Sequence, residues 1–160
     1  SARTDGADVI ETDATNCMNL PAEALEMEAP LRVTRMALRQ DSGGAGAQRG
    51  GLGVVKEFQV LGTETTLTHR GERHYCAASG SQGGSPGAPA VSVIHRNGGR
   101  DEVVPSKMVT TLKPGDRLTV ETAGGGGYGD PRRRDPARVK ADVANGKVSA
   151  KAAREIYGQA

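Results

Sequence analysis

Four consecutive glycines stand in the stretch Val120 to Pro131, VETAGGGGYGDP, between an alternating strand pattern and an Asp-Pro stop. Such a run has no side chain to bury and loses more backbone freedom on folding than any other, so it forms neither a helix nor an ordinary ladder strand. Three readings are open: a loop that cradles phosphate, a flexible linker, or a backbone that must come close to another backbone. A dinucleotide fingerprint needs GxGxxG between strand and helix, and a P-loop needs GxxxxGK[ST] in the same setting. The quartet Gly124, Gly125, Gly126, Gly127 leads instead to Asp130-Pro131, and Gly44-Ala45-Gly46 has Arg49 where a third glycine is required. A tight turn or close packing therefore remains, alongside a nest of backbone N–H groups that could hold an anion. A packed run predicts glycines with positive φ, or glycines whose Cβ would collide with a neighbouring backbone.

Glycine totals 23 of 160 residues, about twice its average usage. Two more clusters, DSGGAGAQRGGLG (41–53) and GSQGGSPGAPA (80–90), read as loops. Aromatic residues make up only 2 %, with one Phe and no Trp, so Val, Leu, Ile, Met and Ala must fill the core, and a partner that supplies missing core is expected. The net charge of +2, without aromatics interleaved among the arginines, argues against nucleic acid. No apolar run is long enough to span a membrane and no signal-peptide core is present. Cys17 and Cys76 are far apart and outside any CxxC, which fits free thiols and a cytoplasmic protein. The chain opens without Met and close to patterned sequence, and is expected to be a piece of something longer.

The body reads as mainly β. LRVTRMALRQ is a strand whose apolar phase slips near Arg35, the mark of a bulge. VVKEFQVL and TTLTHR, separated by Gly62-Thr63-Glu64, carry a hairpin signal; VSVIHR, DEVVPSKMVTTL and RLTVETA are further strands, joined at Asn97-Gly98 and at Lys113-Pro114-Gly115-Asp116. Short strands punctuated this often predict a sandwich or open barrel of antiparallel strands. One short helix is expected near 20–29, capped by Asn19, stopped by Pro30 and presenting Leu20, Ala24 and Met27 on one face. Two short helices close the chain: DPARVKADVANG with Asp135 as cap, Pro136 first and Gly146 as terminator, and SAKAAREIYG from Ser149 to Gly158. The expected organisation is a glycine-rich β body over 1–130 and a helical tail over 131–160, an α+β class with little α.

Few residues announce chemistry. His69, His74, Cys76 and His95 share no spacing specific to a metal site, and neither cysteine has an evident adjacent base, so no metal ligand set is assigned. Glu11, Asp13 and Glu72 could act as acid or base, although loop carboxylates are mostly solvated. Arg49, Arg70 and Arg73 lie beside glycine loops, where a guanidinium could meet an oxyanion or equally an acidic residue of a neighbouring domain.

In combination, TNCMNLPAEALEMEAPLRV, DSGGAGAQRGGLGVVKE, THRGERHY and VETAGGGGYGDP resemble successive blocks of the hydantoinase B and oxoprolinase family, in order and spacing, close to its C-terminal end. The resemblance covers nearly the whole chain, and its specificity lies in pairing SGGxGxxRGGxG with a terminal GGGGYGDP. Members it resembles are much longer, which implies that this is the last portion of a B-type subunit, similar to N-methylhydantoinase B.

The resemblance implies an enzyme that opens cyclic amides such as hydantoins or 5-oxoproline at the expense of ATP, in a hetero-oligomer with an A-type subunit that binds the nucleotide. Related enzymes carboxylate ketones, and a non-catalytic contact module is the further alternative. ATP and a divalent metal are expected elsewhere in the complex and none on this chain alone, which by itself should be inactive. The partners implied are the A-type subunit and the preceding part of the B subunit, with neither nucleic acid nor membrane. Asn16, Arg49, Arg70 and Arg73 are the catalytic candidates, and Asp13, Gly43, Gly44, Gly50, Gly51 and Gly124 to Gly127 are the candidate substrate or backbone-contact positions. Many relatives carry His shortly before the Thr-Asn of the first block, where this sequence has Asp13. The glycine quartet is expected to be a turn that ends the β body and packs against the missing part of the subunit or its partner.

Overall fold

A computed structural model describes residues 2–10 and 19–159. In chain order the elements are helix α1 (Ala22–Glu28), strands β1 (Leu31–Leu38), β2 (Val54–Val60), β3 (Thr65–Arg70), β4 (Val91–His95), β5 (Asp101–Val103), β6 (Lys107–Leu112) and β7 (Arg117–Glu121), and helices α2 (Pro136–Ala144) and α3 (Ala150–Glu155). Five strands form one antiparallel sheet in the order β1-β2-β7-β4-β5, and β3 pairs with β6 in a second sheet. Val60, Ile94, Val104, Leu112 and Leu118 are buried between the two sheets, with Phe58, Leu67 and Met108 packed against them. The mainly β, open sandwich expected from the strand spacing is the observed architecture.

The register of β1 against β2 shifts between Val33 and Arg35, which is the bulge that the slipped apolar phase predicted. Asn97-Gly98 turns β4 into β5, with Gly98 at φ +71. The expected hairpin between VVKEFQVL and TTLTHR does not form: β1 and β7 take both edges of β2, so Gly62-Thr63-Glu64 carries the chain to the other sheet. The Pro114-Gly115 turn is present, with Gly115 at φ +89 and the Asp116 N–H donating to the Lys113 carbonyl (3.0 Å). It also joins two sheets. The buried Asp116 carboxylate braces it by accepting from the N–H groups of Asn97 (2.9 Å) and Lys113 (3.0 Å) and from Arg96 (2.9 Å). Those bonds outweigh the cost of burial and hold the carboxyl below its ordinary range. DEVVPSKMVTTL is two strands, β5 and β6, broken around Pro105, which has no N–H for a ladder.

Helix α1 begins after Pro21 with no side-chain cap; the Asn19 amide oxygen instead accepts from Lys56 Nζ. Its expected apolar face is not buried, since Leu20 is exposed and Met27 is 87 % exposed. The helix is fastened through polar contact, the Glu26 carboxylate accepting from the Val33 N–H on β1 (2.8 Å). At the other end of the chain the caps are as the sequence predicts. Asp135 accepts from the Ala137 N–H (2.9 Å), Ser149 from the Ala152 N–H (3.1 Å), and Gly146 and Gly158 adopt φ +67 and +68. A 3₁₀ turn, Pro131–Arg133, capped by Asp130, precedes α2 and was not foreseen. Both helices pack on the first glycine loop through Ala45, Val139, Val148, Ala153 and Tyr157.

Candidate functional site

Three glycine-rich segments, 42–53, 78–90 and 122–130, meet backbone to backbone. The Gly44 N–H donates to the Gly125 carbonyl (2.8 Å) and the Gly125 N–H to that of Gly51 (2.9 Å). Gly124 donates to Ala88 (3.0 Å) and Ala88 to Ser42 (2.8 Å); Gly127 donates to Ser85 (2.9 Å) and Ser85 to Ala45 (2.7 Å). Gln48 and Tyr128 exchange both of their backbone bonds (3.0 and 2.9 Å). An added Cβ at Gly124 would overlap the Ser42 carbonyl, at Gly126 that of Ser79, at Gly127 that of Ala45, and at Gly50 that of Gly125. Gly43, Gly44 and Gly51 are closed in the same way by Gly50, Ser85 and Ala7. None of the quartet adopts positive φ. The chain makes no turn or bend over 122–127, and the run packs against this chain's own loops. Its glycines answer to the Cβ-free approach, the second of the two expected reasons.

Onto this bundle the N-terminal segment is laid by charge. The Gly6 N–H donates to the Arg49 carbonyl (2.8 Å) and the Val9 N–H to that of Leu52 (3.2 Å). Arg49, 3 % exposed, pairs with Asp8 (3.1 Å) and Asp142 (3.5 Å) and donates to the Gly50 carbonyl (2.6 Å). Arg134, also buried, holds Asp5 (2.7 Å) and Asp142 (2.6 Å), and Lys147 holds Asp8 (2.9 Å). Burial raises the Asp5 carboxyl, but the bonds from Arg134 and the Arg49 N–H and the charges of Arg134 and Arg138 outweigh it and hold the group at about 2. The same balance, with Lys147, the Leu52 N–H and Arg49 as donors, lowers Asp8. The Arg49 guanidinium is thus paired with the tail and the N-terminal segment.

Beside the bundle lies a cleft of about 590 Å³, lined by Val9, Ile10, Asn19, Leu52, Lys56 and Thr122 among others. Its polar side chains are the Lys56–Asn19 pair and Thr122, whose hydroxyl accepts from the Val54 N–H (2.8 Å). Ile10 and Asn19 flank residues 11–18; Asp13, Asn16 and Cys17 therefore lie outside the described residues. Lys56 is a functional candidate that sequence reading missed, since one Lys in VVKEFQV carries no signal until Asn19 is found against it.

Arg70 and Arg73 stand elsewhere, both exposed, Arg70 at the end of β3 and Arg73 on the turn that follows it. Arg70 is directly opposite Lys107 in the β3–β6 pair, and with Thr68 and His69 they line a cleft of about 490 Å³. Like charges in direct register disfavour the pair unless an anion sits between them. Arg73 is at φ +62, its carbonyl accepting from the Ala90 N–H (2.9 Å). His69 and His74 meet edge to face, Nε2 to Nε2 at 3.4 Å, and burial together with the neighbouring ring lowers the His69 pKa. His95 is apart from them, bonded to Asp101 (3.0 Å) and Thr119 (3.0 Å). Among the described residues no group of three or more His, Cys, Asp and Glu side chains is placed to hold a metal. Nor, among them, is any helix long and apolar enough to cross a membrane.

A family model, hydantoinase B/oxoprolinase, matches residues 1–131. The caprolactamase subunit beta of Pseudomonas jessenii is 38 % identical over 141 residues, 85 % of this chain and 24 % of that protein. A crystal structure of the ATP-dependent caprolactamase from the same organism superposes with a TM-score of 0.77 at 32 % identity, over 96 % of this chain and 29 % of that one. A 5-oxoprolinase of Pestalotiopsis fici is 33 % identical over 131 residues, 79 % of this chain and 10 % of its own. A nucleotide-free acetone carboxylase has the same fold, with a TM-score of 0.83 at 23 % identity over 98 % of this chain and 25 % of that one. The chain thus spans less than a third of the length of each, from 10 to 29 %.

Proposed function

Because the chain belongs to the hydantoinase B/oxoprolinase family, we propose that it is the C-terminal segment of the B-type subunit of an ATP-dependent enzyme that opens cyclic amides. In this reading it works in the cytoplasm beside an ATP-binding A-type subunit and the preceding part of its own subunit. ATP and a divalent metal are bound by those parts, and ATP supplies the phosphoryl group that activates the amide oxygen.

The observation that carries the reading is the use of the family's glycine blocks. SGGxGxxRGGxG and GGGGYGDP are consumed in packing against each other, with carbonyl oxygens standing where side chains would be. Such a bundle is a rigid scaffold, and what it presents is the cleft with Lys56 and Asn19 at its wall. A cation held there by one amide oxygen has two further N–H donors available to an oxyanion that develops on the substrate or a phosphoryl group. Arg70 with Lys107 is the second cationic surface, suited to an acidic partner or to substrate charge.

Reconstitution tests the reading: the complete B-type subunit carrying this segment, mixed with an A-type subunit, should hydrolyse ATP faster when hydantoin, 5-oxoproline or ε-caprolactam is added. ATP turnover indifferent to every cyclic amide, but stimulated by acetone with bicarbonate, would assign a ketone carboxylase instead. Lys56→Met should lower turnover with assembly intact, while Arg70→Ala separates the alternatives by lowering turnover if catalytic or weakening only assembly if a contact residue. The isolated chain should give no heat with Mg-ATP in isothermal titration.

A further inference from the structure

The turn that leaves β3 brings two histidines together, His69 on the strand and His74 five residues on. We propose that they form a site for one Zn²⁺ ion, held by the two Nε2 atoms with water in its remaining positions.

Two imidazoles that share a tetrahedral ion at about 2.1 Å stand with their nitrogens about 3.4 Å and their ring centres about 5.3 Å apart. Here the Nε2 atoms are 3.4 Å apart and the ring centroids 5.3 Å, with the planes crossing at 83°. A hydrogen bond between the rings fits less well. It prefers about 3.0 Å and a straight approach, and a straight approach at the longer separation would put the centres about 5.7 Å apart. The rings are instead bent out of line, as two ligands of one ion are. With the proton of each neutral ring on Nδ1, both Nε2 lone pairs are offered to the same space, and histidine is the commonest metal ligand. Among the described residues no third His, Cys, Asp or Glu side chain is placed to complete a set, which leaves the other positions to water.

The surroundings hold this arrangement. His69 is buried, while Arg70 and its partner Lys107 are carried by the opposite face of the β3–β6 pair. Gly71 leaves the nitrogens room, since a Cβ there would stand 2.5 Å from Nε2 of His74 and 3.0 Å from that of His69. The turn is pinned on both sides, the Gly71 N–H donating to the Ser106 carbonyl (2.7 Å) and the Ala90 N–H to that of Arg73 (2.9 Å). Between these anchors Arg73 is held at φ +62, a conformation unfavourable to a residue with a side chain. Such strain persists only where the surroundings impose it, and it gathers at functional sites. Its effect here is to turn His74 back onto His69.

This site stands on the two rings and not on the cyclic-amide reading. Zinc chloride is titrated to about 1 mM into the full chain, first stripped of metal by chelator, and followed by isothermal titration and by the ring ¹⁵N signals of the histidines. The expected result is one ion per chain, with the Nε2 signals of His69 and His74 shifting together and those of His95 unmoved. His74→Gln, at a partly exposed position, should weaken binding at least about tenfold, the scale on which even an outer partner of a metal ligand counts. Gly71→Ala, whose Cβ pushes the rings apart, should weaken it with both histidines present, and Cys76→Ser should bind as the parent does. Zinc should raise the melting temperature of the parent and leave that of His74→Gln unchanged. No binding up to about 1 mM, parent-like affinity in His74→Gln, or loss of binding in Cys76→Ser overturns the proposal and leaves the test by reconstitution untouched.

Discussion

The molecule contains two interiors built on opposite principles. Between the sheets, Val60, Ile94, Val104, Leu112 and Leu118 exclude water with side chains. In the glycine bundle, segments 42–53, 78–90 and 122–130 exclude it with peptide groups, carbonyls filling the space where the Cβ atoms of Gly44, Gly50, Gly124, Gly126 and Gly127 would stand. A chain with 2 % aromatic residues has little bulk to pack, and direct backbone contact brings its loops to high density without any. The consequence for mutation is an inversion. The sandwich is harmed by deleting methyl groups and the bundle by adding one.

The sharpest attempt to break this contrast is Gly124→Ala. Its Cβ would overlap the Ser42 carbonyl, whose residue is itself buried and bonded to Ala88, so only backbone can move. A loss of more than about 4 kcal/mol is expected, beyond the usual cost of overpacking, and enough to unfold much of the population. Thermal melting reads it directly. A variant that melts with the parent would make the quartet a linker. The counterpart in the sandwich is Ile94→Ala, which empties a fully buried site and should cost about 3 kcal/mol. Urea unfolding of both variants puts the two interiors on one scale.

Charge fastens the N-terminal segment across the bundle, and pH probes it. The Asp5 carboxyl sits at about 2 in the fold against an ordinary 3.8, so below about pH 4 the unfolded chain binds the more protons. Its stabilisation is complete above pH 4 and is lost as pH falls through 2, an effect of about 1–2 kcal/mol for a partly solvated group. Melting temperatures of parent and Asp5→Asn should diverge above pH 4 and converge toward pH 2. A constant gap would mean that Asp5 is not what the acid limb reports.

Much of this was legible in the sequence. The strands, the bulge near Arg35, the Asn97-Gly98 turn and the capped helices of the tail all rest on local chemistry, which a short window contains. Strand partners were not, because Gly62-Thr63-Glu64 looks the same whether it reverses a chain within one sheet or carries it to another. The ion pairs that join Asp5 to Arg134 and Asp8 to Lys147 span most of the chain length, and no local pattern announces them. Arg49 was singled out for its glycine neighbours, yet those glycines let it sink into the interior among carboxylates. The Lys56–Asn19 pair was invisible for a related reason: Asn19 looked like a helix cap, and only the fold reveals that Lys56 has claimed its amide.

The smallest effect sharpens the contrast most, because it falls inside the quartet. A Cβ at Gly98, where φ is +71 and nothing lies within 4 Å, meets only the backbone preference, so Gly98→Ala should cost about 1 kcal/mol. Gly125 differs from both Gly98 and its own neighbours. Its φ is not positive, and the nearest atom to its Cβ would be the Gly51 nitrogen at 3.2 Å, a contact that a shift of a few tenths of an ångström relieves. Alanine there also removes freedom from the unfolded chain, worth up to about 1 kcal/mol in favour of the fold. The two terms nearly cancel, and Gly125→Ala should melt within about 2 °C of the parent, a stability change of some tenths of a kcal/mol. If Gly125→Ala is as damaging as Gly124→Ala, the bundle tolerates no side chain at any of the four positions, and position-by-position backbone contact is not what sets its limits.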